Sequence, residues 1–162
     1  MAIDTDRSIR DEPVAEPNKF PDTPAPFQRY EVHPPLVEQG KHNRRVAATD
    51  ILSIGVQSLG AKGGETNLHA HSDQDATWLV MKGKVRFYTE GDKEVATMGP
   101  YEGLVIPRGT LYWFESVSDE PLVIMRIAAK HPNVERERIN ADGTERVSRA
   151  GTKLIPGAFF GK

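Results

Sequence analysis

A chain of 162 residues supports one hydrophobic core and is too short for two ordinary domains joined by a linker. Its 38% hydrophobic and 27% charged residues are the composition of a soluble globular protein, and a net charge of -2 provides no field for nucleic acid or an anionic membrane. It contains no cysteine, which excludes disulfide and thiolate chemistry. No apolar stretch approaches the roughly 18 residues that a bilayer span requires, and the start MAIDTDRSIRDEP lacks the apolar centre of a signal peptide, so a cytoplasmic protein is expected.

Residues 1–28 are rich in Pro, Asp and Glu, and residues 1–35 hold seven of the twelve prolines. Proline withholds ladder donors and the charges resist burial, so this segment reads as an arm that orders only against another surface, with Phe20, Phe27 and Tyr30 as apolar anchors. The basic run Lys41-His42-Asn43-Arg44-Arg45 has no interleaved aromatic residue and reads as a solvated turn. From Val46 the pattern becomes that of strands, with Ile54, Val56 and Ser58 on one face and Gly55, Gln57 and Leu59 on the other.

After the loop GAKGG comes His69-Ala70-His71. In an extended backbone the two histidines share one face, about 7 Å apart at Cα, and can lean toward one centre. The segments 77–81 and 84–88 read as a pair around Lys82-Gly83, with a further reversal at Glu90-Gly91-Asp92. Pro107 and Gly109 mark another turn, after which Tyr112 and Phe114 share a face and Trp113 takes the other. The strand PLVIMRIAA is apolar enough to be partly covered on both sides. Beyond His131, Asp142-Gly143 favours the turn of a two-stranded ribbon, and Phe159-Phe160 is expected to cap the barrel opening or dock on a partner. Short strands between regularly spaced turns predict an all-β barrel or sandwich, with no convincing helix longer than about three turns.

Gly63, five residues, His69-x-His71, eleven residues and Gly83, followed by Pro107-x-Gly109 with an aromatic residue three positions on, resemble the two-motif signature of the cupin superfamily over residues 46–128. The resemblance implies a small antiparallel β-barrel, a jelly roll of the double-stranded β-helix type, over residues 29–130, with the arm before it and a C-terminal extension over residues 131–162. It also implies a homodimer in which such arms pack across the partner. The family's first motif supplies two His and a Glu and its second another His. Here His69 and His71 match, whereas Ala76 occupies the Glu position and Tyr112 that of the third His.

Inward positions traced from the histidines are Ala76, Trp78, Val80, Tyr112 and Phe114, with Gln57 on a strand that borders the pocket in cupin-like folds. Trp78, Gln57 and Phe114 are therefore the candidate substrate-binding residues, suited to a flat, aromatic or carbonyl-containing small molecule. His69, His71 and Asp75 are the candidate ligands of a divalent Fe, Ni, Zn or Mn ion, provided that a bulge turns Asp75 inward; Asp73 is expected in solvent. On this reading the chain is a metal-assisted small-molecule enzyme such as a dioxygenase. The alternatives are metal-free acid–base chemistry (dehydration, isomerisation or decarboxylation) by Tyr112, His69 and His71, and a non-catalytic ligand-binding barrel.

Overall fold

The computed structural model describes residues 26–63, 67–141 and 151–162. Phe20 and the Asp142-Gly143 turn lie outside the described residues; Phe27 and Tyr30 are exposed. The strands run β1 (Pro35–Gln39), β2 (Lys41–Ala48), β3 (Leu52–Leu59), β4 (His69–His71), β5 (Gln74–Lys82), β6 (Val85–Tyr88), β7 (Glu94–Met98), β8 (Gly103–Ile106), β9 (Trp113–Ser116), β10 (Leu122–Lys130), β11 (Arg138–Asn140) and β12 (Lys153–Phe159). The architecture is an all-β antiparallel jelly roll, and among the described residues no helix is long and apolar enough to cross a membrane.

A five-stranded sheet ordered β2-β3-β10-β5-β8 packs against a three-stranded sheet ordered β7-β6-β9. Strand periodicity decides what lies between them. Leu59 on β3, Trp78 and Val80 on β5, Val85 and Phe87 on β6, Phe114 on β9, and Leu122 and Ile124 on β10 form one buried cluster. Trp78 and Phe114 meet at 5.1 Å between ring centroids, and Phe87 and Phe114 at the same distance. Each such side chain contributes about 1.5–3 kcal/mol by leaving water. The opposite face of β3 and β10, carrying Ile54, Val56, Val123 and Met125, is covered by Val32, Leu36 and Phe160. That second layer accounts for the apolar character of β10 on both faces.

Three expectations are corrected by the pairing. First, Lys41–Arg45 is not a turn but most of β2, paired with β3 from Lys41 opposite Leu59 to Ala48 opposite Ser53. Its alternating side chains leave one polar row free to face the barrel interior. Second, β5 and β6 are not a hairpin: β5 pairs with β8 and β10, and β6 with β7 and β9. Gly83, at φ +79°, carries the chain from one sheet to the other, and a Cβ there would lie 3.0 Å from Leu122 Cα and the Pro121 carbonyl oxygen. Third, the C-terminal strands seek other partners, β11 pairing with β4 and β12 with β1. Phe160 accordingly packs on the outer layer and not at the barrel opening, while Phe159 is exposed.

Candidate functional site

The histidine strand is held on both edges. His69 and Tyr112 exchange backbone hydrogen bonds, His69 N–H to Tyr112 O at 3.1 Å and Tyr112 N–H to His69 O at 2.9 Å. On the other edge His71 and His69 face Arg138 and Asn140 of β11. The Gly109 N–H donates to the His71 carbonyl at 2.8 Å, so the Pro107–Gly109 turn is fastened to the same strand. These constraints bring the rings of His69 and Tyr112 to 4.5 Å and those of His69 and His71 to 5.2 Å, the latter edge to face.

The three rings open into a cavity of about 320 Å³ whose most deeply buried lining residues are Trp78 and Phe114. Gln57 of β3 and Gln74 of β5 also line it, as do the cations Lys41, Arg45, Arg126, Lys130, Arg136 and Arg138. No Asp or Glu is among the described lining residues. Arg126 projects from the same face of β10 as Ile124 and Ala128, with Gly55 and Trp78 as its cross-strand neighbours. Its guanidinium carbon lies 5.7 Å from the Trp78 ring centroid, a cation–π contact that keeps the charge inside the barrel.

Electrostatics follow from burial and this row of cations. His69 is lowered from 6.5 to about 4, chiefly by burial, with further contributions from Arg138, His71 and Lys41 against the opposing hydrogen bond to Asn67. His71 is lowered to about 4 by burial and then by Arg126, Arg138 and Arg136. Because the Asn67 carbonyl can only accept, the 2.6 Å contact places the proton of neutral His69 on Nδ1 and leaves the Nε2 lone pair available. Burial raises the Tyr112 hydroxyl above its ordinary 10; Arg126 and Trp78 pull it the other way without overcoming burial. Even so, Trp78 Nε1 reaches no acceptor at hydrogen-bonding geometry, nor does Arg126 Nη2, and Gln57 Oε1 receives no donor.

The structure thus gathers His69, His71, Tyr112, Trp78, Phe114 and Gln57 around one cavity. It does not bring Asp75 there. The register of β5 with β10 is regular from Ile124 opposite Val80 to Lys130 opposite Gln74, so no bulge rotates Asp75. Gln74 and Ala76 face inward, and exposed Asp75 accepts the Arg108 N–H at 2.8 Å on the outside. Asp73 is buried at 3% exposure, where solvation was expected. Arg126 and the cations of β11 were not singled out from the sequence, and those of β2 read there as a solvated turn. For Arg126 the available signal was a lone charge in an otherwise apolar strand; for β11 there was none, because its pairing partner is some seventy residues away.

The family comparison agrees with this geometry: residues 56–128 match the sequence model of the cupin domain. Residues 56–128 are a cupin domain. A double-stranded β-helix protein from Klebsiella pneumoniae superposes with a TM-score of 0.53 at 16% identity, covering 62% of this chain and 85% of the other. The polyketide cyclase RemF from Streptomyces resistomycificus superposes with a TM-score of 0.54 at 19% identity, covering 69% and 78%. At these identities the likeness is one of fold. A curated uncharacterized protein of Aquifex aeolicus is 25% identical over 71 residues, 44% of this cupin and 57% of that relative, so the match spans little more than half of the relative's length.

Metal ions are common in cupin barrels, and the residues of this one can be tested for the fit. Two neutral imidazoles suit a metal, but Ala76 offers no donor and Tyr112 is a neutral phenol. Among the described residues no group of three or more His, Asp or Glu converges, and the cavity carries six cationic side chains without a carboxylate. Among the described lining residues no carboxylate offsets the charge that a divalent ion would add. The described donor set does not fit a resident Fe, Ni, Zn or Mn ion, and the trio His69, His71 and Asp75 does not assemble.

Proposed function

We propose that this cupin is a small-molecule enzyme that moves a proton on a carbonyl compound without a resident metal. The observation that carries the reading is the convergence of two uncharged imidazoles and an uncharged phenol on one cavity large enough for a small metabolite. With a pKa of about 4, each imidazole is unprotonated in all but about one molecule in a thousand at pH 7. Each is therefore an acceptor, and His69 offers Nε2 for that role. Tyr112, kept protonated, donates a hydrogen bond to the carbonyl oxygen where negative charge develops, and Arg126 stabilises the same charge.

Removal of a proton beside that carbonyl, with its return at another position or loss of a neighbouring group, gives isomerisation or dehydration. A base this weak requires an acidic carbon, which is why the donors must act together with it. The test is exchange of the proton next to the carbonyl in heavy water, followed by proton NMR over a panel of small carbonyl compounds. The reading expects exchange that persists after chelation and falls by about 10²-fold in His69→Asn or Tyr112→Phe. Exchange that disappears on chelation, or that survives unchanged in both variants, would overturn it.

A further inference from the structure

The polar groups inside the cavity are unevenly matched. Trp78 is 2% exposed, yet its Nε1–H meets no acceptor, and Nη2 of Arg126 beside it is buried without a partner. Buried donors in native proteins are almost always satisfied, so an unmet pair aimed into one cavity marks the place of an acceptor. The Tyr112 hydroxyl oxygen lies near both, and each draws its titration down, but neither donor meets it at hydrogen-bonding geometry. Gln57 Oε1, also buried and unmet, calls for a donor on the same ligand.

Charge extends the pattern outward. Arg45 and Lys130 line the cavity from β2 and β10, and Arg136 and Arg138 from the segment that pairs with the histidine strand. No described carboxylate lines the space between them. So one-sided a cavity attracts counter-charge from its ligand.

We infer that the ligand of this cavity is a small dicarboxylate bearing a hydroxyl or N–H donor. Its inner carboxylate takes the Trp78 N–H and Nη2 of Arg126, which leaves the Tyr112 hydroxyl for a carbonyl oxygen. Its donor group reaches Gln57 Oε1, and its outer carboxylate meets Arg45, Lys130 and Arg136. A carboxylate suits the inner end better than a phosphoryl group does, because two unmet donors match its two oxygens and would leave a third phosphoryl oxygen unmet. The inference rests on the reading of the cavity as a small-molecule site, but it concerns binding and requires no turnover.

The experiment is calorimetric titration of the full-length protein with malate, succinate, monomethyl succinate, dimethyl succinate and inorganic phosphate, at low and at physiological salt. Malate is expected to bind more tightly than succinate. Monomethyl succinate should be weaker than succinate by roughly tenfold, and dimethyl succinate should give no heat. Arg126→Gln should weaken malate by about 30-fold or more, while Trp78→Phe, which keeps a ring and removes the N–H, should weaken it by about 2- to 10-fold. Arg126→Lys retains the charge should Arg126→Gln fail to fold, and is expected to bind at an intermediate level. Equal binding of dimethyl succinate and succinate, phosphate binding tighter than malate, no binding of either dicarboxylate, or malate affinity unchanged in Arg126→Gln and Trp78→Phe would overturn the inference. Malate binding without proton exchange on any compound would overturn the proposed reaction and leave the inference standing. Exchange on neutral ketones with no dicarboxylate bound would do the reverse.

Discussion

The depressed histidines make acid stability the sharpest check on the site. His69 and His71 are lowered from 6.5 to about 4 in the folded protein. In the unfolded chain both return to the ordinary value, so between pH 6.5 and pH 4 the unfolded state binds protons that the folded state refuses. Stability therefore rises with pH across that window and is lost as pH falls through it; above pH 6.5 both states are neutral and the contribution is flat. Each fall from 6.5 to about 4 corresponds to about 3 kcal/mol at the acid end, or about 1.4 kcal/mol per pH unit per histidine while its folded form stays neutral. Buried His69 should express most of this, and half-buried His71 somewhat less. Urea unfolding at pH 7.0, 5.5 and 4.5 measures the slope, and subtracting the slope of a His69→Asn/His71→Asn variant removes the carboxylates common to both proteins. Proton NMR of the imidazole Hε1 resonances locates the two titrations directly. Folded-state titration of either ring near 6.5, or an acid slope unchanged in the double variant, would refute the account of burial and neighbouring cations.

Elemental analysis of the tag-free protein is expected to show no metal near one equivalent, before or after reloading; metal retained by the wild type and lost in His69→Ala would reverse that. Asp75→Ala should leave ligand binding and turnover unchanged and cost less than about 1 kcal/mol in urea unfolding, because only an exposed acceptor for the Arg108 N–H is lost. Gly83→Ala should cost about 1–3 kcal/mol, since φ +79° and the 3.0 Å approach to Leu122 and Pro121 both resist a Cβ; unchanged unfolding would contradict the crossover described for that residue.

Much of the site was legible because a strand has a period of two. His69 and His71 on one face, and Trp78 in line with Ala76 and Val80, follow from alternation once the segment is extended, and the structure keeps that alternation. The same rule placed Asp75 outward, and no bulge intervened to reverse it. Tyr112 beside the histidines came from motif spacing, and the physical cause is the pair of backbone hydrogen bonds between Tyr112 and His69.

Alternation says which side chains share a face but not which strands meet, nor which face looks inward. Lys41–Arg45 read as a solvated turn because only its pairing with β3 turns Lys41 and Arg45 into cavity walls. Arg126 read as part of an apolar strand covered on both sides, because its charge is tolerated only where Gly55 and Trp78 flank it across the sheet and the cavity opens beside it. Arg136 and Arg138 reach the histidines through β11, which pairs with β4 across a long stretch of chain. The sequence by itself determined the extended histidine pair, the inward aromatic row and the all-β class, since these depend on neighbours within one strand. Only the tertiary structure decided the cationic character of the cavity and the absence of a described third metal ligand, since both depend on side chains brought together by pairing between distant strands.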